Sequence, residues 1–337
     1  MTTKILATIG PASLNKEVIN KLTLAGVSLF RINLSHTKLN EVSKVIDKIS
    51  SWTNVPICLD SEGAQVRNQD METESVYFSI NTKVKIYHKQ VIGNSTQISF
   101  APSNVSKQLE VNDLIRIDFN ALTLKVEKIN GDYLIANVEV PGTVGSNKAA
   151  DINREIHLEA LTQKDKEALT IGLKKGITNF SLSFTNSAKD VMEMREIIGH
   201  NSNLISKIES IRGVQNLEEI LPVVDQILID RGDLSREVPI ERIPFVQRKI
   251  ISFANNKRVP VYVATNLLES MINTSSPTRA EANDVASTLL MGANGLVLAA
   301  ETAIGKYPVE SVEMVKSIIQ QYDRWTPGST FRDVIFD

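Results

Sequence analysis

Apolar and polar positions along this chain alternate between two patterns. Short runs rich in β-branched residues are each followed by a longer stretch with helical spacing. The runs from Ile5 to Ile9, Val27 to Ile32 and Val55 to Leu59 read as strands, with helices expected from about Lys16 to Ala25 and about Leu39 to Ser50. This βα order predicts a parallel sheet buried on both faces. From about Arg67 to Asn153 the pattern changes. Runs at Val76 to Ile80, Val84 to Tyr87, Leu114 to Asp118 and Tyr133 to Ala136 are punctuated by turn residues such as Asn130-Gly131. A small all-β domain inserted after the third strand is the expected result. The first rhythm returns beyond Asp151. Thr162 is an expected N-cap, with Asp165 near the positive end of the helix dipole. Further strands are expected at Asn179 to Leu182, Leu204 to Lys207, Gln226 to Ile229, Val259 to Ala264 and Gly295 to Leu298. Three strands before the insertion and five after it predict an α/β chain of (β/α)8 TIM-barrel type, residues 1–66 and 154–337, with the insertion at 67–153. Its active site should lie at the C-terminal ends of the strands.

Composition narrows the class. The 337 residues are 42% hydrophobic, enough for a sizeable core. With 37 basic against 39 acidic side chains, net −2, nothing pulls the chain as a whole toward nucleic acid or a membrane surface. No apolar run approaches the roughly 18 residues of a spanning helix, and Met1-Thr2-Thr3-Lys4 leads straight into a strand without a signal-peptide pattern. The single cysteine, Cys58, sits in an apolar run and reads as a buried thiol, which leaves no disulfide framework within the chain. A cytoplasmic location is expected.

Polar residues gather at the expected strand ends. Arg31-Ile32-Asn33-Leu34-Ser35-His36 closes the second strand and Asp60-Ser61-Glu62-Gly63 the third. Ser206-Lys207-Ile208-Glu209 ends the fifth, Asp230-Arg231-Gly232-Asp233 the sixth and Ala264-Thr265-Asn266 the seventh. Singly, each has a plain reading: a surface arginine, a turn, a structural ion pair. A barrel would bring them into one cleft. There, Glu209 and Asp233 are hard oxygen ligands suited to Mg²⁺ or Mn²⁺. Lys207 lies two residues before Glu209 and so points to the same face. An ammonium beside a metal suits stabilisation of a migrating phosphoryl group. Gly232 permits close approach of backbone N–H groups to an anion.

These segments resemble the pyruvate kinase family over nearly the whole chain. The opening Thr3-Lys4-Ile5-Leu6-Ala7-Thr8-Ile9-Gly10-Pro11 is similar to its first barrel strand. The R-x-N-x-S-H, I-S-K-I-E and R-G-D-L segments appear at Arg31, Ile205 and Arg231. Val263-Ala264-Thr265-Asn266-Leu267-Leu268-Glu269-Ser270-Met271, Pro277-Thr278-Arg279-Ala280-Glu281 and Glu301-Thr302-Ala303 continue the series. The resemblance implies transfer of phosphate between phosphoenolpyruvate and ADP, giving pyruvate and ATP. It implies Glu209 and Asp233 as ligands of the divalent metal, Lys207 as the phosphoryl stabiliser and Thr265 at the protonated enolate carbon. Arg31 would contact the transferring phosphate, and Gly232, Asp233, Thr265 and Ser183 would line the substrate pocket. Asn33, Ser35, Asp60 and Ser61 would form a K⁺ site; Pro11, His36, Arg67 and Lys148 would contact the nucleotide.

The chain also departs from the family pattern. Glu62 stands where the family has a lysine, Gln65 where it has a glutamate, and Asp230 where it has an alanine. Asn186 replaces an arginine and Ser235 a glycine. These changes leave open an enzyme that uses the same metal on a different acid or phosphoryl acceptor, or a ligand-binding homologue without catalysis. After Tyr307-Pro308 one helix, about Val309 to Tyr322, and a short tail are expected, in place of the family's C-terminal regulatory domain. Sugar-phosphate effector control is therefore not expected, and the helix near Arg279 to Leu290 is a candidate surface for a homodimer.

Overall fold

The computed structural model describes residues 3–118 and 121–336. The chain forms two compact units, Met1–Gly63 with Ala160–Asp337, and Ala64–Glu159. In the first, eight parallel strands close into a barrel. They are β1 (Lys4–Ile9), β2 (Leu29–Asn33), β3 (Ile57–Asp60), β4 (Asn179–Leu182), β5 (Asn203–Ile208), β6 (Gln226–Asp230), β7 (Val261–Ala264) and β8 (Gly295–Leu298). β8 closes onto β1 with Lys4 opposite Gly295. Strands β2, β3 and β7 start later than their apolar runs. Pro56 and Pro260, just before β3 and β7, have no N–H to give a ladder; each contributes only its carbonyl, to Phe30 N and Ile227 N respectively.

The strands present two faces. Ile5, Ala7, Phe30, Ile32, Leu59, Phe180, Ile227 and Val263 pack in the large core shared with the helices. The alternate residues Leu6, Leu29, Cys58, Ile205, Leu228, Tyr262, Ala264 and Val297 form a separate buried cluster within the barrel. Two residues further along the same strands stand Thr8, Arg31, Asp60, Lys207 and Asp230, all buried. The barrel interior thus changes from apolar to charged toward the C-terminal strand ends. Cys58 lies at that boundary, its thiol pushed up to about 12 by burial and then by Asp60.

Several of the surrounding helices carry side-chain N-caps, at Asn15, Thr162, Ser187 and Thr278. Gln163–Lys174 opens with a capping box in which Thr162 and Asp165 satisfy each other's backbone N–H groups. Asp165 also accepts from Glu62 N at 2.7 Å and Gly63 N at 3.2 Å, which fastens the β3 loop to this helix. Gly63 has φ +73°, and a Cβ there would lie 2.5 Å from Ser183 O. Gly63→Ala is expected to lose about 1–3 kcal/mol of stability, read as a lower urea midpoint at unchanged slope. An unshifted midpoint would show that this backbone relaxes freely.

The second unit has a closed seven-stranded barrel with its own core, including Phe78, Val84, Ile86, Phe100, Leu122 and Leu124. Its strands are Val66–Asn68, Lys83–Tyr87, Gln97–Ala101, Leu114–Ile117, Leu122–Ile129, Tyr133–Val140 and Ala149–Ile152. Ser75–Phe78 and Gly142–Gly145 pair separately. Asn130-Gly131 makes the hairpin between Leu122–Ile129 and Tyr133–Val140, with Asn130 N donating to Tyr133 O at 2.9 Å. No helix among the described residues is long and apolar enough to cross a membrane.

Candidate active site

The charged layer of the barrel is built around Asp60. Its Oδ2 accepts from Arg31 Nε at 2.8 Å and Nη2 at 2.5 Å, while Oδ1 accepts from Ser181 Oγ at 2.5 Å. Arg31 Nη1 also donates to Thr8 Oγ1 at 3.1 Å. Burial alone would raise the Asp60 pKa, but the Arg31 and Lys207 cations hold it below its ordinary value. Lys207 Nζ stands 2.8 Å from Glu209 Oε1, 3.5 Å from Asp60 Oδ2 and 4.0 Å from Asp230 Oδ2, and donates to Ser183 Oγ at 3.0 Å. Burial disfavours this ammonium, yet Asp60 and Glu209 outweigh burial and raise its pKa. It stays charged.

Beyond Lys207 the carboxylates of Glu209, Asp230 and Asp233 converge, with one oxygen from each within 4.8 Å of the others. Glu209 Oε2 accepts from Phe184 N at 2.6 Å. Oε1 is buried and accepts no hydrogen bond; Lys207 is close enough for an ion pair but lies outside hydrogen-bonding geometry. Burial, opposed by Lys207 and reinforced by Asp233 and Asp230, pushes the Glu209 carboxyl up to about 8. Burial and then Asp230 raise Asp233, against Lys207 and Arg236. Crowded buried carboxylates are relieved by a divalent cation, and an all-oxygen set fits Mg²⁺ or Mn²⁺.

Asp230 Oδ1 accepts from Thr265 Oγ1 at 2.5 Å and Gly232 N at 3.2 Å. A Cβ on Gly232 would lie 2.7 Å from Thr265 Cγ2, so this approach requires glycine. Thr265 and Asn266 have φ +76° and +56°. A β-branched residue there is strained. Arg231 secures the turn: Nε and Nη2 reach Thr265 O at 3.0 and 2.6 Å, and Nη1 pairs with Asp284 Oδ2 at 2.7 Å.

The other sequence-derived candidates are placed as follows. Asn33 Oδ1 accepts from Ser35 N at 2.9 Å. Ser61 O accepts from Ser183 Oγ at 2.7 Å, and Ser61 Oγ from Ser183 N at 3.0 Å. Pro11 and His36 are exposed on the barrel unit. Arg67 and Lys148 lie on neighbouring stretches of the β unit: Arg67 Nη1 donates to Asn147 O at 2.7 Å, and Lys148 Nζ pairs with Asp118 Oδ2 at 3.2 Å. Among the departures, Glu62 pairs with Lys164 at 2.8 Å, and Asn186 Oδ1 accepts from Ser210 Oγ at 2.5 Å. Sequence reasoning passed over Thr8 and Ser181. Their signal was the two-residue step from Leu6 to Thr8 and from Ser181 to Ser183. The N–H of Phe184, at φ +51°, had no side-chain signal.

A family model described as the barrel domain of pyruvate kinase matches residues 1–312. The pyruvate kinase of Clostridium acetobutylicum is 35% identical over 95% of this chain and 70% of its own length. That of Thermotoga maritima is 33% identical over 96% and 71%, and that of Thermococcus litoralis 36% over 96% and 70%. With its closed parallel barrel and its charged layer at the C-terminal strand ends, the chain belongs to the pyruvate kinase family.

Proposed function

We propose that this protein transfers phosphate between phosphoenolpyruvate and ADP with the help of Mg²⁺ or Mn²⁺. The observation that carries this reading is the charged Lys207 ammonium, 2.8 Å from Glu209 at the edge of the carboxylate cluster. Glu209 and Asp233 would hold the ion, which when bound supplies positive charge to oxygens of the acid and the phosphoryl group. Lys207 stabilises the charge on the phosphoryl group as it moves. Arg31, fixed by Asp60 and Thr8, adds a second positive charge on the same inner face. The Thr265 hydroxyl holds the proton position beside the enolate carbon. Gly232 and Ser183 line the acid pocket. Asn33, Ser35, Asp60 and Ser61 are proposed to hold K⁺. Pro11 and His36 on the barrel unit, and Arg67 and Lys148 on the β unit, are proposed nucleotide contacts.

Pyruvate release from phosphoenolpyruvate and ADP should require added Mg²⁺ or Mn²⁺, and Glu209→Gln should lower it about 100-fold or more. Folded, metal-binding protein without activity toward any nucleoside diphosphate would overturn this assignment. A second reading, the same chemistry on another acid, is favoured by Asp230, whose carboxylate already occupies the Gly232 N–H and the Thr265 hydroxyl. Thermal stabilisation by another phosphorylated acid, with none by phosphoenolpyruvate, would select it.

A further inference from the structure

We infer that Asp230 is a third protein ligand of the divalent ion, so that this site takes the ion without the acid substrate and resists a substrate carboxylate. The inference deepens the proposed function and rests on its metal reading. Asp230 follows Leu228 on the inner face of β6 and is 8% exposed. Its two oxygens divide the work. Oδ1 is held by Thr265 and Gly232, which fixes the rotamer. Oδ2 lies 4.0 Å from the Lys207 ammonium, and one oxygen of this carboxylate lies within 4.8 Å of an oxygen of Glu209 and one of Asp233. Glu209 Oε1 is buried in the cluster, with the Lys207 ammonium 2.8 Å away as its charged neighbour. Three carboxylates fill half of an octahedral shell. A pair would leave more of the shell to water and substrate. The third carboxylate therefore strengthens the hold on the bare ion. Its charge also offsets part of the positive charge, from Lys207 and the ion, that would attract an anionic acid. Further, the Gly232 N–H and Thr265 hydroxyl, which could receive a substrate carboxylate, already face one from the protein.

The test is calorimetric titration of the full chain with Mn²⁺ alone, followed by titration with pyruvate at saturating Mn²⁺. Wild type, Asp230→Asn, Asp230→Ala, Asp230→Glu and Glu209→Gln are compared. Asp230→Asn keeps the shape and the acceptor for Thr265 but removes the charge. It should bind Mn²⁺ roughly 10–100-fold more weakly, and Asp230→Glu should restore much of the loss. Metal-free Asp230→Asn should melt no lower than wild type, because like-charge crowding is relieved. A merely structural role would lower that melting temperature. Asp230→Ala should bind pyruvate more tightly than wild type. Wild-type Mn²⁺ affinity in Asp230→Asn, or weaker pyruvate binding in Asp230→Ala, overturns the inference. Loss of Mn²⁺ in Glu209→Gln but not in Asp230→Asn overturns it while leaving the proposed metal intact. Loss in neither variant overturns the metal reading as well.

Discussion

Lys207→Met is expected to cut phosphoryl transfer by about 10²–10³-fold while leaving a site that still binds Mn²⁺. Methionine approximates the length of the side chain and removes its charge, together with the hydrogen bond to Ser183 Oγ. That charge stands 2.8 Å from Glu209, 3.5 Å from Asp60 and 4.0 Å from Asp230, so the variant also leaves buried carboxylates without their cation. Breaking a buried pair in this way costs about 3–5 kcal/mol. The two effects separate experimentally. Metal-free Lys207→Met should melt well below wild type, and Mn²⁺ should raise its melting temperature more than it raises that of wild type, because the ion restores positive charge beside Glu209. Activity should not recover, since the ion cannot stand where the ammonium stood. Turnover of phosphoenolpyruvate at the wild-type rate would remove Lys207 from the chemistry. Equal Mn²⁺ shifts in both proteins would show that the cluster does not depend on this charge.

Which parts of this site could be read from the chain follows from the range of each signal. Lys207 lies on β5 and Glu209 one residue past its end, so strand periodicity carried one step further puts them on one face. Strand existence and order were equally legible, because each barrel strand is a short apolar run. The starts of β3 and β7 were displaced by Pro56 and Pro260, whose missing N–H groups the apolar pattern does not register. The partners that hold the charged residues were harder to see. Ser181 reaches Asp60 across 121 positions, and Thr265 reaches Asp230 across 35. Those meetings depend on the pairing of β4 with β3 and β6 with β7, and thus on the register Ser181 with Asp60 and Asp230 with Ala264. A lone serine or threonine gives no spacing pattern. The left-handed turn at Thr265 was hidden too, since its residue type argues against that conformation and only the Arg231 clamp on its carbonyl makes sense of it.

A loss of stability as large as that of Lys207→Met is expected from Asp60→Ala. Asp60 is 1% exposed and is the shared acceptor for Arg31 and Lys207, both themselves buried. Removing it leaves two cations in the barrel without that countercharge and frees the Ser181 hydroxyl. A loss of about 3–5 kcal/mol follows. Asp60→Asn keeps the volume and one acceptor and should lose less than alanine. The pH dependence gives an independent reading. In the folded state the Asp60 carboxyl titrates below its ordinary 3.8, so its pairing contributes stability above 3.8 that is lost as pH falls toward the folded value. Urea denaturation of wild type should therefore weaken through this group as pH drops below about 4. Asp60→Asn, with no carboxyl to protonate, should show a shallower acid decline from a lower starting stability. If alanine at this position cost less than about 1 kcal/mol near neutral pH, the two cations would have to be solvated or paired elsewhere, and the hub of the charged layer would not be Asp60.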